Sequence, residues 1–75
     1  MSGGPFPASV ALSVNGETRR VPAGTTLAGL LTELGLDART VVVEHNQNIV
    51  RRDSLHTRPV EDGDVVEIVH FVGGG

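Results

Sequence analysis

The sequence predicts one small α+β domain, in which a single main helix packs on a mixed sheet of four to five strands. A segment with apolar side chains at alternate positions lies near the start of the chain, a largely apolar run lies near its end, and leucines at helical spacing lie between them. Residues that favour tight turns, mainly Asn, Gly and Asp, separate these segments. We expect residues 9–72 to form the domain, residues 1–8 to be a flexible N-terminal extension and residues 73–75 to be a flexible C-terminal glycine tail.

The first predicted unit is a β-hairpin. Within residues 9–14, the strand period of two places Val10, Leu12 and Val14 on one face. Asn15 and Gly16 follow at once, and this pair favours a type I′ turn because both residues tolerate a positive φ. Residues 17–21 then form the return strand, which Pro22 ends because proline has no backbone donor.

The second predicted element is a helix. Four leucines recur at positions i, i+3, i+4 and i+7 and therefore share one helical face: Leu27, Leu30, Leu31 and Leu34. Either Thr25 or Thr26 is suited to be the N-cap. Gly35 follows the last leucine and supplies the residue that commonly ends a helix.

The remaining predicted elements are strands joined by turns. The β-branched run at residues 40–45 predicts a third strand, and Ile49-Val50 predicts a short fourth one. Residues 51–59 lack a clear period and are expected to be a loop with a turn of helix. A tight turn at residues 61–64 leads into residues 65–72, which we expect to be the longest strand.

This last predicted strand is apolar on both of its faces. Val66 and Ile68 are expected to face the leucine helix, which leaves Val65, Val69 and Phe71 in water because so small a domain has no second layer. Exposed apolar area of this kind is typical of docking surfaces. We therefore predict that Val65, Val69 and Phe71 contact partner proteins.

The composition excludes several classes of function. The chain has no Cys, which rules out disulfides, a thiolate nucleophile and Cys-ligated zinc. Its 75 residues leave little room for a deep substrate cavity, so we expect no enzyme activity and no bound cofactor. A net charge of -3 argues against nucleic acid as a partner, since phosphate binding requires clustered basic residues. The chain has six Arg and no Lys, so it cannot form Lys-linked chains with itself. The three histidines are not at ligand spacing, so we expect no metal site.

The chain has no apolar run approaching the ~18 residues of a membrane span. Its first residues lack the charged and apolar regions of a signal peptide. We therefore expect a cytoplasmic protein that does not bind membranes and is monomeric when free.

The chain ends in three consecutive glycines, Gly73, Gly74 and Gly75. Glycine has no Cβ, so such a tail fits a channel too narrow for ordinary side chains. Extended over three residues, it reaches roughly 10 Å. The tail is therefore suited to carry the Gly75 carboxylate into another protein's active site, although frayed chain is the common alternative at a terminus.

The predicted order of hairpin, helix, strand, short strand and long strand is typical of the β-grasp fold. Short motifs occur along it at residues 14–17, 21–22, 24–27, 30–31, 43–46, 49–50, 62–64 and 67–75. Taken in this order, they resemble the thiamine-biosynthesis sulfur carrier protein family, ThiS, over residues 10–75. The resemblance implies a ubiquitin-like β-grasp fold. The sequence departs from the family at Gln47, where members often have Gly, and at Arg51, where they often have Pro.

The resemblance also implies a function. In the family, an adenylyltransferase similar to ubiquitin-activating enzymes uses ATP to adenylate the terminal carboxylate, here that of Gly75, while Gly73 and Gly74 are the recognised tail. A sulfur donor relay then forms a thiocarboxylate, and thiazole synthase consumes it. The alternatives are a sulfur carrier of the molybdopterin-synthase small-subunit type, a non-covalent β-grasp interaction domain, and a conjugated ubiquitin-like modifier.

Overall fold

The computed structural model describes residues 8–71, which form a five-stranded sheet, one α-helix and two 3₁₀ helices. In chain order these elements are β1 (Ser9–Val14), β2 (Glu17–Pro22), α1 (Leu27–Glu33), η1 (Ala38–Thr40), β3 (Val41–His45), β4 (Asn48–Val50), η2 (Arg52–Thr57) and β5 (Val65–His70). The strand order is β2-β1-β5-β3-β4. Among these five strands, β1 and β5 are parallel neighbours, and the other neighbouring pairs are antiparallel. This mixed sheet with one main helix confirms the predicted β-grasp class.

Two hairpin turns of the same kind join neighbouring strands. Asn15 and Gly16, between β1 and β2, have φ angles of 50° and 86°, which confirms the predicted turn. Asn46 and Gln47, between β3 and β4, also have positive φ angles, of 52° and 73°. A positive φ strains residues other than Gly, and Asn least of them. The conformation of Gln47 accounts physically for the glycine that family members often have there.

The helix is capped at both ends by residues that the sequence identifies. Thr26 is the N-cap, and its Oγ1 accepts a hydrogen bond of 3.1 Å from the Gly29 N–H. Gly35 follows the helix with a φ of 74°. The N–H groups of Gly35 and Leu36 donate to the carbonyls of Thr32 and Leu31, the pattern of a Schellman motif. Both caps fix the length of α1, so its leucines are held at a set position over the sheet.

The core lies between one face of the sheet and α1, with η2 closing one side. Its most deeply buried members are Leu27, Leu30 and Val66, each at most 1% exposed. The other buried apolar residues are Val10, Leu12, Val14, Val21, Leu31, Val41, Val43, Val50, Leu55, Val60 and Ile68. Leu34 is the C-cap residue and is only partly buried, so three of the four predicted leucines form the buried stripe.

Several predicted strand boundaries are wrong. β2 includes Pro22 and β4 begins at Asn48, each one residue beyond the prediction. The last strand ends at His70 rather than Val72 and, at six residues, equals β1 and β2 in length instead of exceeding them. Thr40 belongs to η1 and not to the third strand, because its N–H and its hydroxyl both donate to the Asp37 carbonyl, at 2.9 and 2.7 Å. These bonds complete a turn before β3 begins.

The predicted extension at residues 1–8 and the predicted tail at residues 73–75 fall outside the described residues, apart from Ala8. The Ala8 carbonyl accepts a hydrogen bond of 3.2 Å from the Ala23 N–H. The division into extension, domain and tail therefore stays a prediction. None of the helices formed by residues 8–71 is long and apolar enough to cross a membrane.

Candidate functional site

The side chains predicted to dock partners lie on the sheet face opposite α1. Val65, Val69 and Phe71 are 43%, 59% and 56% exposed, whereas Val66 and Ile68 are 0% and 7% exposed. This alternation confirms the predicted orientation of the last strand, and Phe71 lies one residue beyond its end. The role of the three exposed residues in docking stays a prediction.

A fourth exposed apolar residue on this face, Ile49 of β4, was not singled out from the sequence. It is 70% exposed and lies directly opposite Glu44 of β3, which in turn lies opposite Glu67 of β5. In the next row Val42 lies opposite Val69. Side chains directly opposite each other on neighbouring strands point to the same face. We name this surface, made of Val42, Glu44, Ile49, Val65, Glu67, Val69 and Phe71, the outer sheet face.

Two carboxylates lie at the centre of the outer sheet face. Glu44 and Glu67 are direct cross-strand neighbours, and the ion pairs found among residues 8–71 involve neither of them. Like charges directly opposite each other destabilise a sheet. A partner that places a cationic side chain between the two carboxylates would relieve this repulsion while its apolar groups cover the surrounding valines.

A small cleft opens beside the outer sheet face where β3, β4 and η2 meet. Its volume is about 160 Å³, and Ile49, Leu55 and Phe71 are among its lining residues. Ligand sites for small molecules typically occupy ~300–1,000 Å³. The cleft therefore suits one apolar side chain of a partner better than a cofactor.

A wider depression of about 480 Å³ lies at Arg51, Arg52 and Asp53. All three residues are exposed, and the Arg51 Nε lies 3.7 Å from the Asp53 Oδ1. Arg51 stands where the family often has Pro. Because Arg51 is exposed, this departure from the family does not change the core.

The strand that leads to the glycine tail lies at the centre of the sheet. β5 pairs with β1 on one side and with β3 on the other, and the Phe71 N–H still donates to the Thr40 carbonyl at 2.9 Å. The predicted site of modification, Gly75, and the predicted recognition residues, Gly73 and Gly74, lie outside the described residues. The last described residue, Phe71, is thus anchored to the body only four positions before Gly75.

One histidine is packed in a way that the sequence does not reveal. His45 is 8% exposed, and its Nε2 lies 2.6 Å from the Asp64 Oδ2, 19 residues away in the chain. The same carboxylate accepts hydrogen bonds from the Glu61 N–H and the Asn46 side chain. Burial raises the pKa of Asp64, but the hydrogen bonds from His45, Asn46 and Glu61 outweigh it and leave the pKa lowered.

The Asp64 carboxylate therefore stabilises the turn before β5. This role agrees with the turn predicted at residues 61–64. Residues 8–71 contain no group of three His, Cys, Asp or Glu side chains placed to hold a metal ion.

Comparisons with known proteins agree with the geometry. The ThiS family profile matches residues 10–75. The crystal structure of a ThiS protein from Geobacter metallireducens superposes with a TM-score of 0.77 at 35% identity, covering 88% of this chain and 100% of that one. The sulfur carrier protein ThiS of Bacillus subtilis is 40% identical over 65 residues, which cover 85% of this chain and 98% of that protein.

Longer proteins also contain a segment like this chain. A thiazole synthase of Paramagnetospirillum magneticum is 50% identical over 64 residues, and one of Magnetococcus marinus is 42% identical over 64 residues. The matched segment is 85% of this chain but only 20% of each of those proteins. The family profile, the small relatives and the fold point to the same conclusion: the chain belongs to the ThiS family, and its fold is the ubiquitin-like β-grasp of that family.

Proposed function

We propose that this chain is a sulfur carrier for thiazole formation in thiamine biosynthesis, and that the Gly75 carboxylate is the group that carries the sulfur. The family match that extends through the glycines to residue 75 is the observation that carries the proposal. The chain is a covalent cosubstrate of its partners and not itself an enzyme. It requires no cofactor of its own, because ATP is bound by the activating partner.

The chemistry of a terminal carboxylate requires activation before sulfur can be attached. An α-carboxyl has a pKa of about 3.5, so at neutral pH it is an anion and a poor electrophile. Reaction with ATP forms an acyl-adenylate and releases pyrophosphate. The terminal sulfur of a persulfide on the donor relay then attacks the carbonyl carbon and displaces AMP, which gives an acyl disulfide. A thiol reductant supplies two electrons to cleave the S–S bond, so that the donor leaves as its free thiol and the chain keeps a thiocarboxylate. Glycine leaves the reacting carbonyl unhindered.

The two longer relatives support thiazole synthase as the consumer of the thiocarboxylate. Proteins named thiazole synthase contain a segment that is 42–50% identical to this chain. A shared polypeptide raises the effective concentration of one domain at the other, which is useful where the two must meet in every turnover. The second partner in the proposal is an adenylyltransferase similar to ubiquitin-activating enzymes, and both partners bind the outer sheet face.

The first test measures the modification itself. We expect that incubation with such an adenylyltransferase, ATP, a cysteine desulfurase, free cysteine and a thiol reductant raises the intact mass by the difference between sulfur and oxygen. Fragmentation is expected to place the change on Gly75, which separates it from oxidation of Met1. The Bacillus subtilis relative, treated in parallel, is the positive control. The proposal would be contradicted if the control acquires a thiocarboxylate and this chain does not.

A second test addresses the outer sheet face. We expect Val69→Asp to weaken binding to both partners by about 2 kcal/mol, roughly thirtyfold in Kd, because the charge must be desolvated in the interface. The melting temperature of the free variant should change little, since Val69 is 59% exposed. Calorimetric titration and thermal melting measure the two quantities.

The matched control for this variant is Thr32→Asp. Thr32 is an exposed residue of α1, and α1 packs on the side of the sheet opposite the outer sheet face, so this control adds the same charge away from that face. It should bind both partners normally. Normal binding by Val69→Asp would restrict partner recognition to the tail, and equal weakening by both variants would show a general charge effect.

A further inference from the structure

A side chain of the first hairpin turn holds β5 close to the point where the tail begins. The Oδ1 of Asn15 accepts a hydrogen bond from the Ile68 N–H at 2.7 Å, and its Nδ2 donates to the Ile68 carbonyl at 3.2 Å. The two residues are 53 positions apart in the sequence. One side chain thus satisfies both backbone groups of a residue in the central strand.

Asn15 extends the parallel pairing of β1 and β5 beyond the end of β1. The register ends with Val14 opposite Val66, and the Asn15 N–H donates to the Val66 carbonyl at 2.9 Å. The chain then turns away into β2 through the type I′ turn. The amide of Asn15 takes the place that the next strand residue would have filled beside Ile68.

Only asparagine meets both requirements of this position. The φ of 50° disfavours residues with branched or bulky side chains. The Ile68 backbone needs one acceptor and one donor, which a short amide offers together and a carboxylate or hydroxyl of similar length does not offer in the same geometry. Glycine satisfies the turn but supplies neither hydrogen bond.

The position of this contact connects it to the tail. Successive residues of a strand direct their backbone groups to opposite edges, so those of His70 point to the same edge as those of Ile68. No strand formed by residues 8–71 pairs with His70 on that edge, because the register with β1 ends at Val66. Within residues 8–71, Asn15 is therefore the last anchor of β5 on the β1 side, and the hydrogen bond from Phe71 to Thr40 is the last one on the β3 side.

We propose that Asn15 is a positioning residue for the reaction of the tail, because it fixes the direction in which the chain leaves β5. The inference rests on the proposed function, since the tail reacts only in a partner's site. The outer sheet face sets how the body docks, and Asn15 holds the end of β5 from which the tail continues. A loss of Asn15 is thus expected to lower kcat of adenylation more than it changes KM.

The second hairpin turn offers a matched control. Asn46 has a φ of 52°, its Oδ1 accepts from the Val65 N–H at 2.8 Å, and its Nδ2 donates to the Asp64 Oδ1 at 3.1 Å. It therefore anchors the start of β5 as Asn15 anchors its end. Val65 lies six residues before Phe71, roughly 20 Å along an extended strand, so Asn46 is remote from the tail.

The experiment compares Asn15→Gly with Asn46→Gly in the full chain. Both variants keep a residue that tolerates the positive φ, and both lose two side-chain hydrogen bonds. We expect Asn15→Gly to lower kcat of ATP–pyrophosphate exchange with the activating partner about tenfold at nearly constant KM. Asn46→Gly should leave both constants close to those of the parent. If Asn15→Gly does not fold, Asn15→Asp, which keeps only the acceptor, should lower kcat in the same direction.

Amide hydrogen exchange gives a readout that needs no partner. The Ile68 amide, which donates to Asn15, should exchange about tenfold faster in Asn15→Gly than in the parent and at the parent's rate in Asn46→Gly. In Asn46→Gly the Val65 amide should exchange faster instead, because its acceptor is lost. Equal losses of kcat in both variants, or none in either, would overturn the inference. If the parent itself supports no exchange of ATP and pyrophosphate, the proposed function fails, and the amide rates alone then decide whether Asn15 holds the start of the tail.

Discussion

Deletion of Gly74 and Gly75 is expected to abolish adenylation of the chain and to leave its melting temperature unchanged. All of the buried apolar residues found in the structure lie between Val10 and Ile68, so the deletion removes nothing from this core. It does move the terminal carboxylate about 7 Å closer to the body, at roughly 3.3–3.6 Å per residue. The shortened tail then cannot bring its carboxylate to the phosphate of ATP with which it must react.

The measurement is ATP–pyrophosphate exchange with the activating partner, paired with thermal melting of the free chain. Deletion of Gly3 and Gly4 is the matched control, because it also removes two glycines but lies outside the residues that match the family. That control should exchange normally. Undiminished exchange by the chain that lacks Gly74 and Gly75 would show that the tail is not the substrate. Loss of exchange by the control would show that adenylation also requires the N-terminal residues.

Elements with a local cause were predictable from the sequence. The turn at Asn15 and Gly16 follows from two residues that tolerate a positive φ, and the buried face of α1 follows from leucines at helical spacing. The orientation of β5 followed from alternation alone once Val66 and Ile68 were assigned to the core. Each of these predictions depends on residues fewer than eight positions apart.

Features that depend on distant pairing were not predictable in the same way. His45 contacts Asp64, 19 positions away in the sequence. The Asn15 side chain forms hydrogen bonds with Ile68, 53 positions away. A local pattern carries no information on the register that brings such residues together. Ile49 escaped notice for the same reason, because a three-residue strand shows no period and its facing is set by its partner β3.

The arrangement of β5 explains how one short strand serves both stability and partner contact. Its inward residues, Val66 and Ile68, pack in the core, and its outward residues, Val65 and Val69, lie on the outer sheet face. Packing of the inward residues in the core fixes the positions of the outward residues, and the same strand continues towards the tail. In the proposed function, a partner that covers the outer sheet face thereby receives the tail in a defined direction.

The second large effect is expected in the core. Leu31→Ala should lower the free energy of unfolding by about 2–5 kcal/mol, the usual cost of truncating a buried leucine. Leu31 is 2% exposed and lies in the core cluster formed by the described residues. Alanine favours helices at least as much as leucine does, so the loss reports packing and not helix propensity. Small domains have total stabilities of about 5–15 kcal/mol, so the variant should be close to unfolding.

Urea titration followed by circular dichroism measures this loss, with Leu34→Ala as the matched control. Leu34 belongs to the same predicted leucine stripe but is the partly buried C-cap residue, so its truncation leaves a smaller cavity. The control should lose clearly less stability than Leu31→Ala. A midpoint for Leu31→Ala equal to that of the parent would show that the sheet does not depend on α1 for its cover. Equal losses in both variants would place the two leucines at the same depth and contradict the burial that distinguishes them.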